Sequence, residues 1–170
     1  MTPLPFARIS LDEETIAGVC QVLRSGWIAT GPYVARFEAA LSAYFGGRPV
    51  RAVTSGTAAL ELALLAAGIG PGDEVIVPAM SFAASANVVL RVGAKPVFVD
   101  VELASRNLDL ARIEAAITPR TRAIMPVHFA GHAVDMDRLL AMARAWHVRV
   151  IEDAAHAIGS ICRGRRIGSG

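Results

Sequence analysis

The sequence has almost no lysine: Lys95 is the only one, and the other 16 of its 17 basic residues are arginines. Cysteine is also scarce, because Cys20 and Cys162 are the only two and lack the CxxC spacing of zinc and redox sites. Two such cysteines exclude a disulfide framework and favour a reducing, cytoplasmic location. The net charge of +2 is too small to indicate a nucleic-acid or membrane partner, and we expect neither.

Long apolar runs are absent as well. The longest stretch without a charge, 75–90, includes Pro78, Ser81 and Ser85 and is shorter than the roughly 20 residues of a membrane helix. The first ten residues, MTPLPFARIS, lack the apolar core of a signal peptide. Even so, 54% of the residues are apolar and only 19% are charged, which excludes a disordered chain. The mean hydropathy of +0.45 indicates apolar surface that something outside the chain covers.

The first quarter of the chain is predicted to be helical. Ser10 and Glu13 have the S-x-x-E spacing of a capping box, and apolar residues then recur at helical spacing as far as Gly26. After the loop WIATGP, a second helix is expected to start near Pro32 and to stop at Gly46. We therefore expect an N-terminal helical segment over residues 1–48.

From residue 49 the pattern changes to an alternation of strands and helices. Short β-branched runs occur at 52–53, 75–77, 97–99, 123–127 and 148–151. They start roughly 22 to 26 residues apart, which is the spacing of βα units. Helices are predicted between them at 57–67, 81–91, 110–117 and 135–146. Strands that are apolar on both faces predict an α/β fold, with a mostly parallel sheet covered by helices on both faces.

The candidate functional residues follow the predicted strands, because ligands bind parallel sheets beyond the carboxyl ends of the strands. Ser55, Gly56 and Thr57 open a helix, where they suit an anion site or only an N-cap turn. Asp153 follows an apolar strand, where a carboxylate is costly without a donor or a cation, although an N-cap is the other interpretation. Phe82 is a core residue or a flat surface for a ring.

The sequence lacks the motifs of nucleotide binding and of metal binding. The sequence has no Walker loop, and its clustered glycines at 68, 70 and 72 follow a helix instead of a strand, which argues against a dinucleotide fold. His128 and His132 have HxxxH spacing, but their segment follows a strand and contains Gly131, so we expect no metal site. Cys20 lies on an apolar helix stripe and is predicted to pack.

Taken in order, seven segments resemble the successive blocks of the DegT/StrS-type sugar aminotransferases, fold-type I enzymes that use pyridoxal phosphate (PLP). They are GWIATGP, VTSGTAALELAL, GPGDEVIVPAMSFAASAN, GAKPVFVDVE, ITPRTRAIMPVHFAG, VIEDAAHAIGS and GRRIG. The resemblance covers nearly the whole chain, and three blocks are most similar to members that make 4-amino-4-deoxy-arabinose on UDP for lipopolysaccharide modification. It implies amino transfer from glutamate to a nucleotide-linked keto sugar by a homodimeric enzyme.

The resemblance also implies a role for individual residues. The turn that holds the cofactor phosphate is matched by Ser55, Gly56 and Thr57. Phe82 matches the aromatic residue that stacks on the pyridine ring, Asp153 matches the acid that pairs with the ring nitrogen, and His156 matches a position near the ring's 3-oxygen. A loop at the substrate entrance is matched by Trp27, Thr30 and Gly31.

One element of the family is missing from the sequence. In the family a lysine forms a Schiff base with PLP, in a segment beyond the block that GRRIG matches, and this chain stops at Gly170. Lys95 precedes a strand, at the wrong end for that role. We therefore expect residues 49–170 to be the first part of a large PLP-binding domain, and the isolated chain to be inactive. Two alternatives stay open: a PLP-dependent sugar dehydratase of the same family, with histidine at the lysine position, and a non-catalytic fragment that binds phosphate or PLP.

Overall fold

A computed structural model describes residues 8–169, and the chain forms two compact units that meet in sequence between Ala52 and Val53. The first unit contains helices α1 (Glu13–Arg24) and α2 (Pro32–Tyr44). The predicted capping box is wrong, because α1 begins at Glu13 and its cap is Asp12. The carboxylate of Asp12 accepts a hydrogen bond from the Thr15 N–H at 2.8 Å, which satisfies one of the free donors of the first turn.

The apolar side chains of the first unit are largely uncovered. None of the residues in α1 and α2 is buried. Val19, Leu23 and Phe37, for example, are all more than half exposed. The apolar residues of this unit therefore do not form a buried core within the described part of its two helices. In the part of the chain that the structure describes, no helix is both long enough and apolar enough to cross a membrane.

The second unit alternates helices and strands as predicted, beginning with a helix instead of a strand. Its elements are α3 (Gly56–Ala66), β1 (Glu74–Pro78), α4 (Ala84–Arg91), β2 (Lys95–Val99), α5 (Leu110–Ala116), β3 (Thr121–Ile124), α6 (Met136–Ala145), β4 (Arg149–Val150) and a short hairpin of β5 (Ile161–Cys162) and β6 (Arg165–Arg166). The predicted strand at 52–53 is wrong, because neither residue lies in a strand. The Ala52 N–H instead donates to the Glu38 carboxylate at 2.8 Å.

Strands β1 to β4 form one parallel sheet in the order β2-β1-β3-β4. Ile76 of the central strand β1 pairs with Val97 on one side and with Ile124 on the other. Because all four strands run in the same direction, their carboxyl ends lie along one edge of the sheet. The predicted α/β class with a parallel sheet is confirmed.

Both faces of the sheet are covered at its central strand β1, whereas Phe98 of the edge strand β2 is more than half exposed. Val75 and Val77 pack on one face with residues of α3 and α4, while the residue between them, Ile76, packs on the other face with α5 and α6. This alternation explains why β1 is apolar at successive positions and is fully buried along its length. Polar side chains are consequently concentrated at the two edges where the strands begin and end.

The amino-terminal edge contains a buried acid, Glu74, which is only 2% exposed. Its carboxylate accepts hydrogen bonds from Thr118 Oγ1 at 2.6 Å and from Arg120 Nη2 at 2.9 Å, and Lys95 Nζ lies 3.4 Å away. The hydrogen bond from Thr118, then those from Arg120 together with its charge, lower the pKa of Glu74 from 4.5 to about 2. The carboxylate therefore stays ionised in the folded protein except in strong acid.

We expect Glu74→Gln to weaken the dependence of stability on pH in acid. A lowered pKa in the folded state stabilises the wild type fully above the unfolded-state pKa of about 4.5, and this contribution is lost as the pH falls through about 2. The variant lacks that contribution, so its thermal unfolding midpoint should be lower near neutral pH and fall less over the same acid range. Thermal unfolding followed by circular dichroism across this pH range tests the prediction. The prediction would be contradicted if the unfolding midpoints of the two proteins fell equally as the pH is lowered.

Candidate active site

A cleft of about 220 Å³ lies beyond the carboxyl ends of the sheet strands. Its lining includes five of the residues that the sequence singled out, namely Gly56, Thr57, Phe82, Asp153 and His156. These come from the start of α3, the segment before α4 and the segment after β4. Residues up to 100 positions apart in sequence are thus brought together by the parallel topology, as the strand-end argument predicts.

The amino terminus of α3 forms one side of the cleft. Ser55 is the N-cap, and its Oγ accepts a hydrogen bond from the Ala58 N–H at 3.1 Å. The N–H groups of Gly56 and Thr57 stand in the first turn, where no carbonyl of the helix can accept from them. The capping and anion-site interpretations of this segment are therefore compatible, because the cap uses Ser55 while the next two residues line the cleft.

Asp153 is held on a continuation of β4. Its N–H donates to the Pro126 carbonyl at 2.9 Å, and its own carbonyl accepts from the His128 N–H at 3.2 Å. Its side chain is 7% exposed at the cleft. One carboxylate oxygen, Oδ2, accepts from Ser85 Oγ at 2.9 Å, and the other, Oδ1, accepts from the Ala155 N–H at 3.3 Å. The buried acid thus has two protein donors, as its burial requires.

Ser85 is the site residue that sequence reasoning missed. It lies in the first turn of α4 and is 1% exposed. The signal that could have found it is the presence of hydroxyl residues in the long uncharged stretch 75–90, since a buried hydroxyl in apolar surroundings needs a partner.

His156 lines the same cleft with a defined ring orientation. Its Nδ1 accepts a hydrogen bond from the Ala130 N–H at 3.3 Å, and the ring of Phe129 packs edge-on at 6.1 Å between centroids. Because Nδ1 accepts, the neutral imidazole carries its proton on Nε2. The backbone is also tight at Gly131, whose φ of +80° suits glycine and where a Cβ atom would lie 3.2 Å from the His156 carbonyl oxygen.

Phe82 contributes an apolar ring that the protein itself does not cover. It follows β1 before the start of α4, and it is 76% exposed although it lines the cleft. The core interpretation of Phe82 is therefore wrong, because its ring packs in neither cluster of the core. An exposed aromatic face beside a concave site is available to a flat ligand.

His128 and His132 do not form a metal pair. His128 is fully buried, its Nε2 lies 2.9 Å from Glu152 Oε2, and its Nδ1 accepts from the Val134 N–H at 3.1 Å. Both ring nitrogens are therefore engaged within the protein. Over residues 8–169, no group of three or more His, Cys, Asp or Glu side chains is arranged to hold a metal ion.

The three remaining candidates, Trp27, Thr30 and Gly31, lie in the first unit and contact one another. The indole Nε1 of Trp27 donates to the Thr30 carbonyl at 2.7 Å. A Cβ atom on Gly31 would lie 2.4 Å from that Nε1, so the close approach of the indole requires glycine at this position. The three residues form one local turn.

The comparisons with known proteins agree on one family. A sequence model of the DegT/DnrJ/EryC1/StrS aminotransferase family matches residues 9–170. SpsC of Bacillus subtilis strain 168, a spore coat polysaccharide biosynthesis protein, is 46% identical over 166 residues, which are 98% of this chain and 43% of that protein. The UDP-4-amino-4-deoxy-L-arabinose–oxoglutarate aminotransferase of Shewanella sediminis is 46% identical over 165 residues, which are 97% of this chain and 42% of that protein.

A solved structure gives the same result for the fold. Spr1654 of Streptococcus pneumoniae in its PLP form superposes with a TM-score of 0.91 at 40% identity, over 98% of this chain and 46% of that one. The resemblance found in the sequence blocks is confirmed. The chain spans less than half the length of the relatives that it matches.

We expect Gly31→Ala to displace the indole of Trp27. The new methyl group would overlap the ring, so the hydrogen bond from Trp27 to Thr30 should break and the indole should become more accessible. In a Trp146→Phe background Trp27 is the only tryptophan, and acrylamide should quench its fluorescence more strongly in the variant. Gly18→Ala is the matched control, because Gly18 has no atom within 4 Å of its Cβ position and quenching should stay unchanged. Equal quenching in both variants would contradict the described turn.

Proposed function

The chain belongs to the DegT/DnrJ/EryC1/StrS aminotransferase family, and from that premise we propose that the intact protein is a PLP-dependent aminotransferase that converts a nucleotide-linked keto sugar to an amino sugar. The observation that carries the proposal is the convergence of a helix amino terminus, a buried acid and a histidine on one cleft. The name of the Shewanella relative, which contains a UDP amino sugar and oxoglutarate, supports a nucleotide-linked substrate and glutamate as the donor.

The donor set of the cleft fits PLP. A phosphate dianion suits the first-turn N–H groups of Gly56 and Thr57, the Thr57 hydroxyl and the positive end of the α3 dipole. Asp153 offers acceptor capacity at a nearly buried position, and Phe82 offers the face of an aromatic ring. An anion site, a flat apolar surface and an acid within one cleft match a ligand that is itself a phosphorylated pyridine.

Each residue has a chemical task in this proposal. PLP, when bound, supplies an electron sink for the electron pair released at the substrate carbon. Asp153 would accept a hydrogen bond from the ring nitrogen and favour its protonated form. Phe82 would orient the ring by stacking. The Nδ1 of His156 already accepts from the backbone, so its Nε2–H would be the group that donates to a ring oxygen.

The covalent anchor of the cofactor is expected to come from another part of the intact protein. Lys95, the only lysine of the chain, starts β2 at the amino-terminal edge of the sheet and lies 3.4 Å from Glu74. The candidate site lies at the opposite edge, since all four strands are parallel. We therefore propose that the 170-residue chain alone has no turnover.

Further parts of the proposal rest on the family. The turn of Trp27, Thr30 and Gly31 is proposed to line the substrate entrance, with the Trp27 ring fixed by its bond to the Thr30 carbonyl. A homodimer and a cytoplasmic location complete the proposal, and the free state of Cys20 and Cys162 supports a reducing compartment.

The decisive experiment uses the full-length protein with PLP and glutamate. We expect about one equivalent of 2-oxoglutarate per bound cofactor in the first half-reaction, and borohydride should attach the cofactor permanently to a lysine. Asp153→Asn should lower the rate of this half-reaction by at least about a hundredfold, because a neutral amide cannot stabilise the charge on the ring nitrogen. Asp109→Asn is the matched control. Asp109 caps α5 through the Ala111 N–H, a role that asparagine performs equally well.

The alternatives predict different results in the same experiment. A dehydratase with histidine at the anchor position would bind PLP but give no borohydride adduct. A phosphate-binding module would give neither the adduct nor 2-oxoglutarate. Either result, or equal rates for Asp153→Asn and wild type, would overturn the proposal.

A further inference from the structure

Asp153 is supported by a short chain of two serine hydroxyls. Ser85 Oγ lies 2.9 Å from Asp153 Oδ2, and Ser81 Oγ lies 2.7 Å from Ser85 Oγ. Ser85 and Asp153 are separated by 68 positions in sequence and are both nearly buried. Neither serine is explained by the cap of α4, since the N-cap position is Ala83 and makes no side-chain hydrogen bond.

The direction of these hydrogen bonds follows from the contact with the acid. The Ser85 hydroxyl donates its single proton to Asp153 Oδ2. The oxygen of Ser85 then has only lone pairs left, so Ser81 must be the donor in the contact between the two hydroxyls. The hydrogen bonds therefore run from Ser81 to Ser85 and from Ser85 to Asp153. Successive hydrogen bonds of one direction strengthen one another where little water is present.

The geometry fixes the plane of the carboxylate. Oδ2 is held by the Ser85 hydroxyl, and Oδ1 is held by the Ala155 N–H at 3.3 Å. With one donor on each oxygen, rotation of the carboxyl group breaks both contacts. A carboxylate has about four acceptor positions, so capacity remains for a donor in the cleft. Of the two contacts, that from Ser85 is shorter and comes from a different element, α4.

The same segment connects the acid to the aromatic wall of the cleft. Ser81 and Phe82 both line the cleft, and the Ser85 N–H donates to the Phe82 carbonyl at 3.1 Å. The hydroxyl contact between Ser81 and Ser85 therefore closes the turn that presents the Phe82 ring. One short segment positions both the flat surface and the acid.

We propose that Ser85 is a positioning residue that orients Asp153 towards the ring nitrogen of the cofactor, with Ser81 as its supporting donor. This inference rests on the proposed function. Ser85 itself touches neither substrate nor cofactor and acts only through Asp153. Its contribution is therefore greatest for properties that depend on the Asp153 carboxylate and small for phosphate binding at α3.

The test uses the full-length protein with PLP labelled with ¹⁵N in the ring. The variants are Ser85→Ala, Ser85→Thr and Ser81→Ala. Ser105→Ala is the matched control, because Ser105 Oγ also donates to a carboxylate at 2.9 Å, that of Glu102, outside the cleft. The measurements are the dissociation constant of PLP, the ¹⁵N chemical shift of the bound cofactor and the thermal unfolding midpoint.

We expect Ser85→Ala to raise the dissociation constant about tenfold and to move the ¹⁵N shift towards that of an unprotonated pyridine. Ser85→Thr keeps the hydroxyl and should retain the wild-type shift. Ser81→Ala leaves the Ser85 bond in place and should raise the dissociation constant only about twofold. Ser105→Ala should change neither quantity.

The outcomes separate this inference from the proposed function. Suppose that the wild type binds PLP and transfers amino groups, and that Ser85→Ala shows the same ¹⁵N shift and the same affinity for PLP as the wild type. This inference alone is then overturned. A lower unfolding midpoint without a change in the shift likewise makes Ser85 merely structural. If Ser85→Ala does not fold, Ser81→Ala takes its place as the test. An affinity for PLP equal to that of the wild type would then overturn the inference that the two serines support Asp153. If the wild type binds no PLP, both proposals fall.

Discussion

A carboxylate removed from water must receive donors or a cation, and this requirement shapes both edges of the sheet. At the amino-terminal edge, Glu74 is satisfied completely, by Thr118, Arg120 and Lys95. At the carboxyl edge, the donors to Asp153 within the described part of the chain are both neutral, the Ser85 hydroxyl and the Ala155 N–H. The two acids are similarly buried and differ in the charge around them. The first is held by two cationic side chains, and the second lies in the lining of the cleft.

The separation of these two acids depends on the sheet being parallel and covered on both faces. In such a sheet the strand interiors are apolar, so charged groups can be placed only where the strands begin or end. The single lysine belongs to the amino-terminal edge. The carboxyl edge has a helix amino terminus, hydroxyls, an exposed aromatic ring and a histidine, and among residues 8–169 no lysine or arginine lines the cleft. These groups suit an anion and a flat ring.

Much of this arrangement could be predicted from the sequence, because it depends on short-range patterns. The apolar runs located β1 to β4, and their parallel topology brought Thr57, Phe82 and Asp153 to one cleft. The two wrong predictions, the capping box and the strand at 52–53, concern backbone groups that had more than one possible hydrogen-bond partner nearby. Asp12 replaced Ser10 as the cap, and Ala52 formed a hydrogen bond with a side chain instead of a strand. The spacing of apolar residues along the sequence does not show which of these hydrogen bonds will form.

Ser85 illustrates a different limit of sequence reasoning. A serine in the first turn of a helix is ordinary, and its position in sequence gives no indication of a carboxylate 68 residues away. Only the fold, which places the start of α4 beside the segment that follows β4, makes the contact. A carboxylate that follows an apolar strand, however, needs a donor or a cation, and this need already points to residues like Ser85. Hydroxyls that lie in apolar segments and cap no helix are therefore the natural candidates for partners of such an acid, and the fold decides which of them reaches it.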